Sequence, residues 1–303
     1  DLADPKAESF PAIVNHVVYF GDGISNATLL EGFKITGSNH FVTDSPMDSP
    51  MEPSFEALKK TEGFYGALFF YTDGGGIKIF GRSYPVIDTV EIYDCYSSPC
   101  GAGISIEHRG LNQKPVLLKN CIFRNNQSLV TGSAVDLLPK SAAFIQNCLF
   151  VGNISNTGLE YKHYKGNINW PEIPKLMATT VNYQPERGSG ALTVFFGSRI
   201  QVEQSTFTGN FNGVDDRASQ GVYRNCIFWK NDAEGGLRSG KRFELDILQG
   251  KWVTGCMLGG TLADPNGSIL NEKNVIDCVD PNFNEHFVPQ NPAFNKAGYR
   301  PVP

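Results

Sequence analysis

The residues most able to do chemistry in this chain gather between Lys78 and Lys140. Lys78, Glu107, His108, Arg109 and Asp136 are the types needed to remove a proton from a carbon beside a carboxylate. Such an elimination wants a cation over the carboxylate and a Lys, Arg, His or Tyr base near the acidic proton. Arg82, Arg109 and Lys140 form a second set, at one offset behind three similar apolar-polar alternations. Like charges repeated along an edge repel one another. An anionic polymer would relieve that repulsion, and guanidinium groups suit carboxylate or sulfate. Phe80 and Phe195 share another offset and could stack on sugar rings, with Trp170 and Tyr161 available from a later segment. Catalytic candidates are therefore His108, Arg109, Glu107 and Asp136. Candidate ligand-binding residues are Lys78, Phe80, Arg82, Arg109, Lys140, Phe195, Trp170 and Tyr161. A solvated turn edge with basic residues and no function would look the same in sequence.

Other chemistries find less support. Glycoside hydrolysis asks for carboxylates placed close together, and the adjacent pair Asp215-Asp216 reads as a turn former. Gly74-Gly-Gly precedes a strand pattern and no helix, so it is no phosphate loop. Five scattered His and no Cys-x-x-Cys give no zinc pattern. A calcium ion on loop Asp and Asn oxygens is chemically reasonable but cannot be located, and no other cofactor is implied.

The elements that must position these residues come from a repeat. Asn-Cys-Ile-Phe-Arg-Asn-Asn at 120–126 returns as Asn-Cys-Leu-Phe-Val-Gly-Asn at 147–153, Gln-Ser-Thr-Phe-Thr-Gly-Asn at 204–210 and Asn-Cys-Ile-Phe-Trp-Lys-Asn at 225–231. A second, glycine-led phrase recurs from Gly74, Gly101, Gly132 and Ser189, with the period of a strand. Its alternation predicts Ile77, Ile104, Val135 and Leu192 inward, with Lys78, Ser105, Asp136 and Thr193 outward. Units of this length cannot bury their own apolar side, and stacking them makes a solenoid. Phe123, Phe150, Phe207 and Phe228 are expected in one inward column. Cys121 and Cys148 share another column and are expected to stay reduced, because parallel Cβ vectors give poor disulfide geometry. Cys95 and Cys100, around Ser98-Pro99, could form a loop disulfide. Segments of about 40–73 and 156–187 interrupt the period at one point, after Phe-x-x-Asn and before the glycine-led strand. They should stand on one side of the solenoid and wall a groove along the glycine-led strands.

Phe-x-x-Asn combined with Gly-Gly-x-Ile resembles the repeat of chlamydial polymorphic outer-membrane proteins and of secreted right-handed β-helix (pectate-lyase-like) proteins from planctomycetes and Bacteroidetes. Asn26-Ala-Thr-Leu-Leu-Glu-Gly-Phe-Lys-Ile-Thr-Gly resembles their opening, and Asp280-Pro-Asn-Phe with Asn291-Pro-Ala-Phe their closing segment. The resemblance implies an all-β, single-stranded, right-handed parallel β-helix of about seven to eight coils. One domain would fill 1–303, with a closing segment at about 265–303 and the first coil apparently absent.

Composition agrees with many short strands and tight turns: 32 Gly, 41% apolar and 19% charged residues in 303. A net charge of −5 gives nucleic acid no electrostatic support, and no apolar run is long enough to span a membrane. Three functions remain open. The protein could be an extracellular or cell-surface binder of a polysaccharide or surface glycan without catalysis, an adhesin-like role. It could be a polysaccharide lyase acting on an acidic glycan, or a structural subunit of a larger extracellular assembly.

Overall fold

The computed structural model describes residues 16–38, 73–97, 100–128, 131–155, 189–234, 242–276 and 279–302. Nearly every coil contributes one short strand to each of three long parallel sheets. Sheet A holds β1 (Val18–Phe20), β4 (Ile77–Phe80), β8 (Ile104–Glu107), β12 (Val135–Leu137), β15 (Leu192–Val194), β18 (Val214–Asp216) and β21 (Leu245–Ile247). Sheet B holds β2 (Leu29–Glu31), β5 (Val86–Asp88), β9 (Val116–Lys119), β13 (Ala142–Gln146), β16 (Arg199–Glu203), β19 (Val222–Arg224) and β22 (Val253–Thr254). Sheet C holds β3 (Lys34–Thr36), β6 (Glu91–Tyr93), β10 (Ile122–Arg124), β14 (Leu149–Val151), β17 (Thr206–Thr208), β20 (Ile227–Trp229), β23 (Met257–Gly259) and β24 (Val275–Ile276). A small extra sheet pairs β7 (Tyr96–Ser97) with β11 (Gln127–Ser128). Among the described residues the chain forms an all-β solenoid of seven coils with an added strand at its C-terminal end, as the repeat predicts.

The repeat's residues explain the coil. Phe123, Phe150, Phe207 and Phe228 are fully buried and stack face to face, with ring centroids 4.7, 4.2 and 5.0 Å apart. Two residues after each Phe the backbone turns left-handed, at Asn125, Gly152, Gly209 and Lys230. The next residue is the buried Asn of the motif. Asn126 Nδ2 donates to Asn153 Oδ1 (3.0 Å), Asn153 Nδ2 to Asn210 Oδ1 (2.9 Å), and Asn210 Nδ2 to Asn231 Oδ1 (2.7 Å). Glu244 ends the ladder, accepting from Asn231 Nδ2 at 2.5 Å and from Thr261 Oγ1. Small residues open the glycine-led strands because neighbouring coils approach closely there. A Cβ on Gly103 would meet the Ala134 carbonyl oxygen at 2.3 Å.

Cys121, Cys148, Cys226 and Cys256 are buried free thiols, as expected of the inward column. Cys95 and Cys100 are also free and buried, so the loop disulfide does not form. Cys95 occupies the Asn-ladder position of its coil, where its N–H donates to Asn126 Oδ1 (3.2 Å), and burial pushes its thiol up to about 11.

The described chain leaves sheet C after β3 and after β14 and re-enters sheet A at β4 and at β15. The residues of the two insertions, Tyr161 and Trp170 among them, lie outside the described residues. The closing segment crosses several coils of sheet C. Tyr299 N–H donates to Thr206 Oγ1 (2.9 Å), while Arg300 N–H donates to Asn147 Oδ1 (2.7 Å).

Replacing Phe150 with Ala removes the middle ring of the stack and should cost about 3–5 kcal/mol in chemical denaturation. A loss below about 1 kcal/mol would contradict a close-packed column.

Candidate functional site

The outward row of sheet A is set by strand register: Tyr19, Lys78, Ser105, Asp136, Thr193, Asp215 and Asp246 stand side by side across seven strands. From Lys78 to Asp246 this row is buried, against the open groove expected from alternation alone. Lys78 is fully covered, with Nζ 2.5 Å from Glu107 Oε2 and 3.2 Å from Ser105 Oγ. Burial works against its ammonium, but Glu107 and then Asp73 outweigh it and raise its pKa. Glu107 also takes Arg109, whose Nη2 lies 2.7 Å from Oε1. Arg109 in turn sits 4.8 Å over the Phe80 ring. Lys78, Glu107, Arg109 and Phe80 are therefore one internal network, and Lys78, Glu107 and Asp136 are not an exposed ligand-binding face. A long cation among carboxylates stays charged only if it is paired, and Glu107 provides that pairing for Lys78.

Two carboxyls border this network. Asp136 Oδ1 accepts from Thr131 Oγ1 (3.2 Å), while its Oδ2 and both oxygens of Asp73 have no hydrogen-bond partner among the described residues. Burial pushes Asp136 up to about 7 and Asp73 well above the usual carboxylate range, although Lys78 pulls both downward. The pair Asp215-Asp216 splits across the sheet. Asp215 faces outward, and Asp216 faces in and accepts from Ser219 N–H, Gly221 N–H (both 2.8 Å) and Tyr223 OH (3.2 Å). The pair therefore lies in strand β18 and not in a turn between coils, and only Asp216 caps the turn that follows.

His108 is not a free base. It is buried, Ala142 N–H donates to its Nδ1 (3.3 Å), and its Nε2 donates to the Ser83 carbonyl (2.8 Å). Both nitrogens are occupied in the neutral ring, and burial lowers its pKa. The imidazole braces the coils of Ser83 and Ala142 on either side of its own. Sequence reasoning missed this brace because it depends on which turns meet across coils.

The basic row behaves differently. It lies in the connections from sheet A to sheet B. Arg82 is exposed and pairs with Asp22, Nη2 to Oδ2 2.5 Å. Lys140 is exposed and left-handed at φ 60°. Phe195 is half-buried beneath Arg217. A cleft of about 330 Å³ opens between Arg109, Lys140 and Arg199, and no acidic residue lines it. A neighbouring cleft of about 470 Å³ shares Gln113, Ala142 and Arg199 and adds Pro115, Phe144 and Val222.

Residues 22–169 match the family described as right handed beta helix region. The chain is a right-handed parallel β-helix. No curated protein and no solved structure matches it. The β-helix has, among its described residues, no helix long and apolar enough to cross a membrane, and no grouping of three or more His, Cys, Asp or Glu able to hold a metal.

The buried carboxyl makes a pH prediction. Asp136 has a folded pKa of about 7, above its ordinary value of 3.8. The folded state therefore holds its proton longer, and stability falls as pH rises from about 4 through about 7. Asp136→Asn should remove this component. Its melting temperature, relative to the parent, should rise between pH 4 and pH 8. A difference that stays constant across that range would refute the assignment.

Proposed function

We propose that this β-helix binds an extended polysaccharide on its A–B edge without turning it over. The observation that carries this reading is the pair of adjoining clefts, one lined by Arg109, Lys140 and Arg199 with no acid, the other by Pro115, Phe144 and Val222. Cations pair with carboxylate or sulfate groups, and apolar side chains cover the faces of sugar rings. Protein binding sites combine these features in clefts of this size. A setting outside the cell or on its surface belongs to the same proposal, supported by the repeat's resemblance to surface and secreted proteins.

The lyase reading has one observation in its favour, the unpartnered oxygens of Asp73 and Asp136 beside Lys78. Against it, His108 has no nitrogen free to take a proton. Incubation with acidic polysaccharides, followed at the ultraviolet absorbance of unsaturated products, separates the two. Binding without absorbance is expected, and a steady absorbance rise would establish the lyase instead. Lys140→Ala with Arg199→Ala should weaken binding about tenfold at low salt and flatten its salt dependence, because exposed charge pairs are individually modest and screened. Binding left intact by both changes would remove the site.

A further inference from the structure

The seven connections from sheet A to sheet B lie wholly within the described residues, and their charge is one-sided. They carry six cations, Arg82, Arg109, Lys114, Lys140, Arg217 and Lys251, and one acid, Asp22, which Arg82 already holds. The whole chain has a net charge of −5, so this edge opposes the rest of the molecule. Arg199 opens β16 on the same edge. Aromatic rings are interleaved with these cations. Phe196 is 61% exposed with Arg217 5.3 Å from its centroid, and Trp252 is 50% exposed with Lys251 5.0 Å from its centroid.

Strand pairing places these residues in order along the solenoid axis. Phe196 follows β15, Arg217 follows β18 and Lys251 follows β21, in three successive coils beyond that of Lys140. At about 4.8 Å per coil, Lys140 and Lys251 lie roughly 14 Å apart along the axis. Trp252 precedes β22 directly, on the continuation of the row Phe144, Gln201, Val222 that lines the apolar cleft. Both clefts thus open onto one continuous strip.

We infer that this strip is a single binding track for an anionic glycan, laid parallel to the solenoid axis and across the strands. The inference rests on the polysaccharide reading above and adds two things: the direction of the ligand along the solenoid, and the residues Arg217, Lys251, Phe196 and Trp252. A ligand on the track meets a cation in each coil and an aromatic face at two of them. A neutral glycan would use the rings alone. Single-stranded nucleic acid also combines negative charge with ring faces, but a chain of net −5 repels a long polyanion away from this edge. The track therefore favours a glycan whose charges sit within the strip.

The experiment measures affinity for size-graded sulfated and uronic oligosaccharides, a neutral glucan of matched length, and single-stranded DNA. Affinity for the acidic series should climb with length until the ligand spans roughly 14 Å, then level off. Lys251 is exposed, so the single change Lys251→Glu tests the far end of the track without disturbing the core. It should weaken long acidic ligands about tenfold at low salt and leave the shortest untouched, and Trp252→Ala should act in the same direction. Failure of every glycan to bind would remove the polysaccharide reading itself. Binding that depends on Lys140 and Arg199, but ignores length and Lys251, would keep that reading and overturn the track. Equal binding of neutral glucan, or tighter binding of DNA, would overturn the ligand class.

Discussion

The asparagine of Phe-x-x-Asn holds this solenoid in register. Asn153 Oδ1 accepts from Asn126 N–H and Nδ2 on one side, and Asn153 Nδ2 donates to the Phe123 carbonyl and to Asn210 Oδ1. All four contacts are buried, and each links one coil to the next. A slip of one residue would leave these groups without partners and turn the adjoining Phe out of its stack. Hydrogen bonds and rings thus demand the same register, and chains of such bonds reinforce one another in a low dielectric. The ladder also needs an end. Glu244 supplies it by accepting from Asn231 and Thr261, and burial pushes its carboxyl up to about 7.

Strict register inside the coil determines what can exist outside it. Once the Phe and Asn columns align, every position on sheets A and B aligns as well, and chance basic residues become rows. The corner between sheets A and B is held by its own braces. His108 N–H donates to Ser141 Oγ, and Ser141 N–H to Ser198 Oγ. These bonds leave Lys140 and its neighbours facing water over a rigid backbone, which is the condition for a preorganised binding edge.

The outer face of sheet A follows a different logic. Its polar row is buried, so its charges must satisfy one another. Lys78, Glu107 and Arg109 do so, whereas Asp73 and Asp136 answer burial by holding their protons more tightly. The two sides of the same strand end therefore separate in character: a buried network of paired charges beneath, and an edge richer in cations than in acids around the corner.

The sequence by itself determined the coil. Its 21–30-residue phrases are local, and from Phe123 to Asn231 each spells out one turn, one ring and one amide, so those columns could be read without coordinates. The inward Phe stack, the reduced Cys column and the alignment of Arg82, Arg109 and Lys140 all followed from counting. Tertiary structure alone decided burial and partnership. Alternation says which way Lys78 and Asp136 point, but not whether water reaches them. Offset places Arg109 beside Lys140, but not that Glu107 occupies one and leaves the other exposed. The nitrogens of His108 were equally illegible, because their partners come from neighbouring coils, 25 and 34 residues away in the chain. Periodicity encodes direction along a strand, whereas accessibility and pairing depend on groups that meet only when the coils stack.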